Sequence, residues 1–183
     1  MNTMAHKKVY VQRDWTDQEL VADGFLYYRP VKRITMARVL PPEEAPKTMK
    51  AAGHTVTAEA GYWIAYRAGK VMKGKLDDYK PRPIEPKIFT ETYRPLNNPN
   101  WHPTSTQFHL QQLGCQPYYK AAGVWAKQLT VETQVQSMES TEPSLVAKDT
   151  WLCIGVEGEP WAITEAWFQA HYRLPGHENP TRN

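Results

Sequence analysis

No stretch of this chain approaches the roughly 20 consecutive apolar residues that take a helix across a bilayer. The opening Met-Asn-Thr-Met-Ala-His-Lys-Lys lacks the apolar run of a signal peptide. These absences set the expectation of a soluble protein of the cytoplasm without membrane contact. Cysteine is nearly missing too: Cys115 and Cys153 sit in no ligand-like pair and read as buried or idle thiols rather than a disulfide or a metal site. No His-Glu-x-x-His, no Cys-x-x-Cys, no phosphate-cradling glycine loop and no dinucleotide fingerprint occurs, so no metal or other cofactor is called for. The six histidines (His6, His54, His102, His109, His171 and His177) are scattered, and none falls in a nucleophile-and-base arrangement. The expectation is a protein that is not an enzyme.

What is present is first a core-forming composition, with 41% hydrophobic residues in 183, enough to bury real apolar surface. The net charge of +3 hides an asymmetry. Residues 1–95 hold 17 Lys and Arg against 11 Asp and Glu, whereas residues 96–183 hold 5 against 8. Such polarity either steers an acidic partner to one face or holds the halves together.

The most telling feature is internal repetition, which changes the reading of a whole fold. Tyr27-Tyr28-Arg29, Met36-Ala37-Arg38-Val39-Leu40, Trp63-Ile64, Ile84 and Phe89-x-x-x-Tyr93-Arg94 recur, in order, as Tyr118-Tyr119-Lys120, Trp125-Ala126-Lys127-Gln128-Leu129, Trp151-Leu152, Ile163 and Phe168-x-x-x-Tyr172-Arg173. The division that follows is an N-terminal segment 1–26, a first unit 27–96 with a basic insertion 68–80, a partly structured linker 97–117, a second unit 118–175 and a tail 176–183. Units this small are marginal alone and share apolar surface when paired.

Local signals place the elements. Thr16-Asp17-Gln18-Glu19 and Thr104-Ser105-Thr106-Gln107 are capping boxes that open short helices, with Gly24 and Gly114 placed to close them. Tyr27–Leu40 reads as one strand, 55–58 and 62–66 as two more around a Gly61 corner, and Trp151–Ile154 with Trp161–Ile163 as a tight hairpin. Pro86 and Thr164 suit the starts of helices that carry Phe89/Tyr93 and Phe168/Tyr172 on one face. The insertion suits an extended hairpin or a mobile loop, and the tail after Pro175 reads as frayed. The fold class expected is α+β: two pseudo-repeated, small antiparallel β units, each closed by a short helix, plus an N-terminal helix.

The landmarks Asp149, Trp151, Leu152, Gly155, Gly158-Glu159-Pro160-Trp161, Ile163, Phe168 and Tyr172, with Gly61, Trp63, Ile64, Pro83, Ile84, Phe89, Thr92 and Tyr93 in the first copy, resemble a small domain of bacteriophage and prophage accessory proteins. Its pattern runs from Pro-Gly-Asp-Trp/Tyr-Ile to Phe-x-x-Thr-Tyr. Tyr62 and Lys148-Asp149-Thr150 depart from it at the first turn. The resemblance implies a β-rich unit in a phage setting, inside a bacterial host, and no settled activity.

Candidate contacts come from where the copies differ. Arg67, Lys70, Lys73, Lys75, Lys80 and Arg82 flank Tyr66 and Tyr79; the bland reading is a solvated hairpin, and the functional ones are an acidic protein surface or, less favoured, phosphates with base stacking. Trp125, Trp161 and Trp167 lack tryptophan counterparts, a surplus of the kind that marks interfaces. The Glu157-Gly158-Glu159 turn reads as solvated rather than as an acid and base pair. The site residues selected are Lys70, Lys73, Lys75 and Arg82 for electrostatic contact and Trp161 as an aromatic anchor. The function expected is a non-enzymatic, phage-type accessory protein that binds a host protein and inhibits a nucleic-acid-directed defence system. The alternative is a small-ligand or nucleotide-binding protein that uses the cleft between the repeats.

Overall fold

A computed structural model describes residues 8–51, 54–138 and 140–176. The expected frayed tail, except Gly176, lies outside them, as do His6 and His177. The chain is mixed α+β, mostly strands in antiparallel sheets, with four helices among the described residues. In chain order the elements are β1 (Val9–Tyr10), α1 (Asp17–Ala22), β2 (Leu26–Pro30), β3 (Ile34–Val39), β4 (Lys47–Ala51), β5 (His54–Ala58), β6 (Trp63–Tyr66) and β7 (Arg82–Ile84). There follow α2 (Pro86–Thr92), β8 (Tyr93–Pro95), α3 (Ser105–Gln112), β9 (Gln116–Lys120), β10 (Val124–Gln128), β11 (Thr133–Val135) and β12 (Ser144–Val146). The series ends with β13 (Trp151–Ile154), β14 (Pro160–Ile163), α4 (Glu165–His171) and β15 (Tyr172–Arg173).

Tyr27–Leu40 is not one strand. The chain leaves β2 at Pro30 and enters β3 at Ile34, and the two strands join different sheets: β14-β13-β10-β2-β15 and β7-β6-β3-β9-β8. β2 pairs antiparallel with β10, Tyr27 opposite Trp125, while β9 pairs antiparallel with β3, Tyr118 opposite Thr35. Accordingly the chain forms two compact units, one combining the residues up to Val31 with those from Ala122 onward, the other the contiguous Lys32–Ala121. The first holds 8 Lys and Arg against 12 Asp and Glu, the second 14 against 7, so the charge asymmetry follows the folded units more sharply than the halves of the sequence.

Within the discontinuous unit the sheet is apolar on both faces because successive residues of a strand point to opposite sides. Leu152 and Ile154 join Leu20 and Phe25 of the α1 segment in one cluster, and Trp151 and Cys153 join Phe168 and Tyr172 on the other face. The contiguous unit does the same: Met36 and Ile64 pack with Leu110 and Cys115, Ala37 and Ala65 with Phe89 and Tyr93. Both cysteines are buried, and neither is in a disulfide. Thr16 and Thr104 cap α1 and α3 through complete capping boxes. The hairpin β4 and β5 and the three-stranded β1-β11-β12 sheet, whose β1 and β11 run parallel, are additions to the two main sheets.

Candidate binding surfaces

The repeated tryptophans anchor two aromatic clusters. Trp63 stacks on Phe89 with centroids 4.0 Å apart at 6°, and Trp151 stacks on Phe168 at 3.7 Å and 2°. Tyr118 stands edge-on to Trp63 at 5.2 Å and Tyr28 to Trp151 at 5.5 Å. Tyr93 and Tyr172 complete the stacks at 4.8 and 5.3 Å. Phe89, Tyr93, Trp151, Phe168 and Tyr172 are core, and Trp63, Tyr28 and Tyr118 pack against them half-buried. Glu165 at the start of α4 accepts from the indole N–H of Trp151 and from Gln128, and the Trp151 bond holds its carboxyl below the usual range.

The basic insertion is neither a hairpin nor an untethered loop. Tyr79, buried at the end of a 3-10 turn over Leu76–Tyr79, accepts from the backbone N–H of Lys73 at 2.7 Å and donates to the Lys73 carbonyl at 3.0 Å. The backbone N–H of Arg67 donates to the Tyr79 carbonyl, and Lys47 pairs with Asp77 at 2.6 Å. On this tethered loop Lys70, Lys73 and Lys75 are exposed. Val71 and Met72 lie beside them, more than half exposed. Arg82 is exposed as well; it lies in β7 and donates to the Tyr93 hydroxyl at 2.9 Å. Trp161 is half-buried against the Trp151 and Phe168 cluster. The tryptophan that the fold leaves exposed is Trp167, at 44%, stacked on His171 at 4.1 Å. His171 has its Nδ1 at 2.7 Å from the Trp167 carbonyl oxygen, one helical turn back.

The Glu157-Gly158-Glu159 turn is organised around Glu159, whose carboxylate accepts from the Glu157 N–H at 2.8 Å. The N-terminal segment lies across it: Gln12 donates to the Glu157 carbonyl, and a Cβ on Gly158, at φ 73°, would sit 1.8 Å from the Arg13 carbonyl oxygen.

One polar cluster has no counterpart among the residues selected from sequence. Lys127 Nζ donates to the Tyr10 hydroxyl (2.7 Å), the Asp23 carbonyl (2.8 Å) and the Asp23 carboxylate (3.2 Å), Tyr10 donates to Asp23 at 2.6 Å, and Lys8 pairs with Asp23 at 2.7 Å. Burial lowers the Lys127 ammonium from its ordinary value against the pull of Asp23. Burial pushes Asp23 up, but the bonds from Lys8, Tyr10 and Lys127 outweigh it and leave the carboxyl below its usual range. Burial, reinforced by Asp23, raises Tyr10 well above an ordinary phenol. The signal in the sequence was Lys127 itself, in phase with Trp125 and Leu129 on one of the two apolar faces of the strand, where a cation needs partners. The cluster lines a cavity of about 700 Å³ together with Leu26, Tyr28, Gln128, Glu132 and Trp151. That volume suits a small ligand. No group of three or more His, Cys, Asp or Glu placed to hold a metal occurs among the described residues. No described helix is long and apolar enough to cross a membrane.

Comparison with protein-family models, with curated proteins and with solved structures gave no match.

Proposed function

We propose that this chain is a non-enzymatic binding protein, made of two copies of one small α+β unit, that docks on an acidic surface of a protein partner through the basic loop of residues 67–80. The observation that carries the reading is the loop itself. A buried tyrosine fixes its backbone while three lysines and two large apolar side chains face outward. A pre-ordered loop loses little conformational freedom on binding, apolar side chains supply contact energy, and the lysines steer an acidic partner to it. The balance of 14 basic against 7 acidic residues in that unit adds a long-range field of the same sign.

The duplication rests on the matching aromatic clusters and on the corresponding order of the two five-stranded sheets. The motif resemblance supports a phage setting, with a host protein as the partner and the host cytoplasm as the place. Inhibition of a nucleic-acid-directed defence enzyme through this loop is the weaker form of the reading. A nucleic-acid groove is itself cationic and repels lysines, so blocking one would fall to the acidic unit.

The test is affinity capture from nuclease-treated host lysate, comparing the wild-type chain with Lys70→Glu/Lys73→Glu/Lys75→Glu. The reading expects a partner that the wild type retains, that salt elutes, and that the variant loses. Capture indifferent to the charge reversal contradicts it.

A second reading, a small-ligand protein, is favoured by the cavity beside Lys8 and Lys127. Lys127 spends all three protons inside the protein, so an anionic group on a ligand would address Lys8, whose side chain is 52% exposed. Thermal-shift screening against nucleotides and aromatic acids separates the readings, since a ligand raises the midpoint without any protein partner.

A further inference from the structure

We infer that the cavity beside Lys8 and Asp23 binds a free α-amino acid with a large apolar side chain, its carboxylate on Lys8 and its ammonium on the second oxygen of Asp23. This rests on the small-ligand reading and not on the basic loop. Every residue of the lining belongs to the discontinuous unit.

Three donors converge on Asp23: the Tyr10 hydroxyl, Lys8 and Lys127. All three fall on Oδ2. No described residue donates to Oδ1. A carboxylate accepts on both oxygens, so half of this one is open to a ligand that brings a donor. The matching cation of the other unit, Arg38, is met by both oxygens of Glu44, and there neither oxygen is left open.

Lys8 supplies the opposite function. It gives one N–H to Asp23 Oδ2 at 2.7 Å and is held over the Tyr10 ring at 5.0 Å from the centroid. No described residue takes its other two N–H groups. The open donor and the open acceptor are therefore neighbours, separated by one ion pair and the width of a carboxyl group. A ligand that satisfies both carries an anion and a protonated amine side by side, as an α-amino acid does. A nucleotide brings the anion without the ammonium, and a simple amine does the reverse. The charges agree with this: the lining holds two cations, Lys8 and Lys127, and two carboxylates, Asp23 and Glu132, a balance that a zwitterion preserves and a net charge upsets.

Away from this pair the lining turns apolar. Leu26 and Val131 are more than half exposed, and Tyr28 and Trp151 add ring surface. Covering such side chains stabilises a complex, and about 700 Å³ leaves room for a large side chain to do so.

The test is isothermal titration of the full-length chain with L-phenylalanine, L-leucine and L-tryptophan, beside 3-phenylpropionate and 2-phenylethylamine, which lack the ammonium and the carboxylate in turn. At least one amino acid is expected to bind one to one, and each truncated probe at least about tenfold more weakly than L-phenylalanine. Lys8→Met should weaken L-phenylalanine by about tenfold and leave 2-phenylethylamine unchanged. Val131→Ser, at an exposed position, should leave the thermal midpoint in place and weaken both probes severalfold. Equal binding of either truncated probe, or indifference of L-phenylalanine to both substitutions, overturns the inference. If a nucleotide or an aromatic acid binds and no amino acid does, the inference falls and the small-ligand reading stands. If no probe of any class binds, both fall.

Discussion

Tyr28 stands edge-on to Trp151, ring centroids 5.5 Å apart at 84°, across 122 intervening residues of chain. Tyr118 and Trp63 hold a like arrangement at 5.2 Å and 76°, and the strand registers make Tyr118 the counterpart of Tyr28, one residue away from the Tyr119 that the sequence match aligns with it. Each tyrosine sits against the tryptophan of the sheet that its strand joins: β2 lies in the sheet of Trp151 and leads into β3 of the other, and β9 lies in the sheet of Trp63 and leads into β10 of the first. Edge-to-face rings contribute roughly 0.5–1.5 kcal/mol beyond their buried area. A double-mutant cycle of Tyr28→Leu with Trp151→Leu, read by urea unfolding, should show coupling of that order, whereas Tyr28→Leu with Trp63→Leu should be additive.

Truncating the anchor itself costs more. Trp151 is 9% exposed and stacked on Phe168, so Trp151→Ala should lower stability by about 3–5 kcal/mol. Trp63 is only half-buried and should lose less by the same measurement.

The Lys127 cluster is structural. Lys127→Met leaves Asp23 with Lys8 and Tyr10 but removes three hydrogen bonds, and with both side chains about one-fifth exposed the expected cost is about 1–2 kcal/mol. Asp23→Asn should cost a similar amount, and the two changes together less than their sum, as determined by calorimetry. Full additivity would mean the ammonium and carboxylate do not act as a pair.

Acid should weaken the cap of the N-terminal helix, where the Glu19 carboxylate accepts from the Thr16 backbone N–H. The Thr16 backbone N–H, followed by Arg13, holds the Glu19 carboxyl down at about 2, against an ordinary value near 4.5. A carboxyl depressed in the folded state contributes stability that is complete above its unfolded value and is lost as pH falls from about 4.5 toward about 2. Stability measured between pH 6 and pH 3 should therefore decline more steeply in the wild type than in Glu19→Gln. A matching slope in both would contradict this role.

Gly158 and Gly61 both have left-handed backbones, at φ 73° and 89°, but differ in their surroundings. An added Cβ at Gly61 meets nothing within 4 Å, and at Gly158 it meets the Arg13 carbonyl. Gly61→Ala should cost only the backbone strain, about 1 kcal/mol. Gly158→Ala should cost clearly more and should free residues 12–15 to hydrogen exchange and proteolysis.

Local chemistry made much of this fold legible. Both capping boxes and the helix starts at Pro86 and Thr164 follow from residue types at short spacing. The break at Val31–Arg33 did not show, because β2 and β3 look equally strand-like and their partners lie far along the chain; pairing of that kind is decided by non-local packing. The basic insertion looked mobile because its anchor, Tyr79, is one residue amid glycines and lysines, and only its burial gives it away. Arg82 and Trp161 were selected by type, and their neighbours, the hydroxyl of Tyr93 and the rings around Trp151, lie too far along the chain for any spacing rule to reach. The Lys8, Tyr10, Asp23 and Lys127 cluster joins residues more than a hundred positions apart, a distance that no spacing rule spans.

The strand crossing is tested most directly by side-chain nuclear Overhauser contacts of the Tyr28 ring in the full-length protein. The account predicts contacts to the Trp151 indole and the Phe168 ring and none to Trp63 or Phe89. Contacts from Tyr28 to Trp63 and Phe89, with Tyr118 found against Trp151, would contradict it.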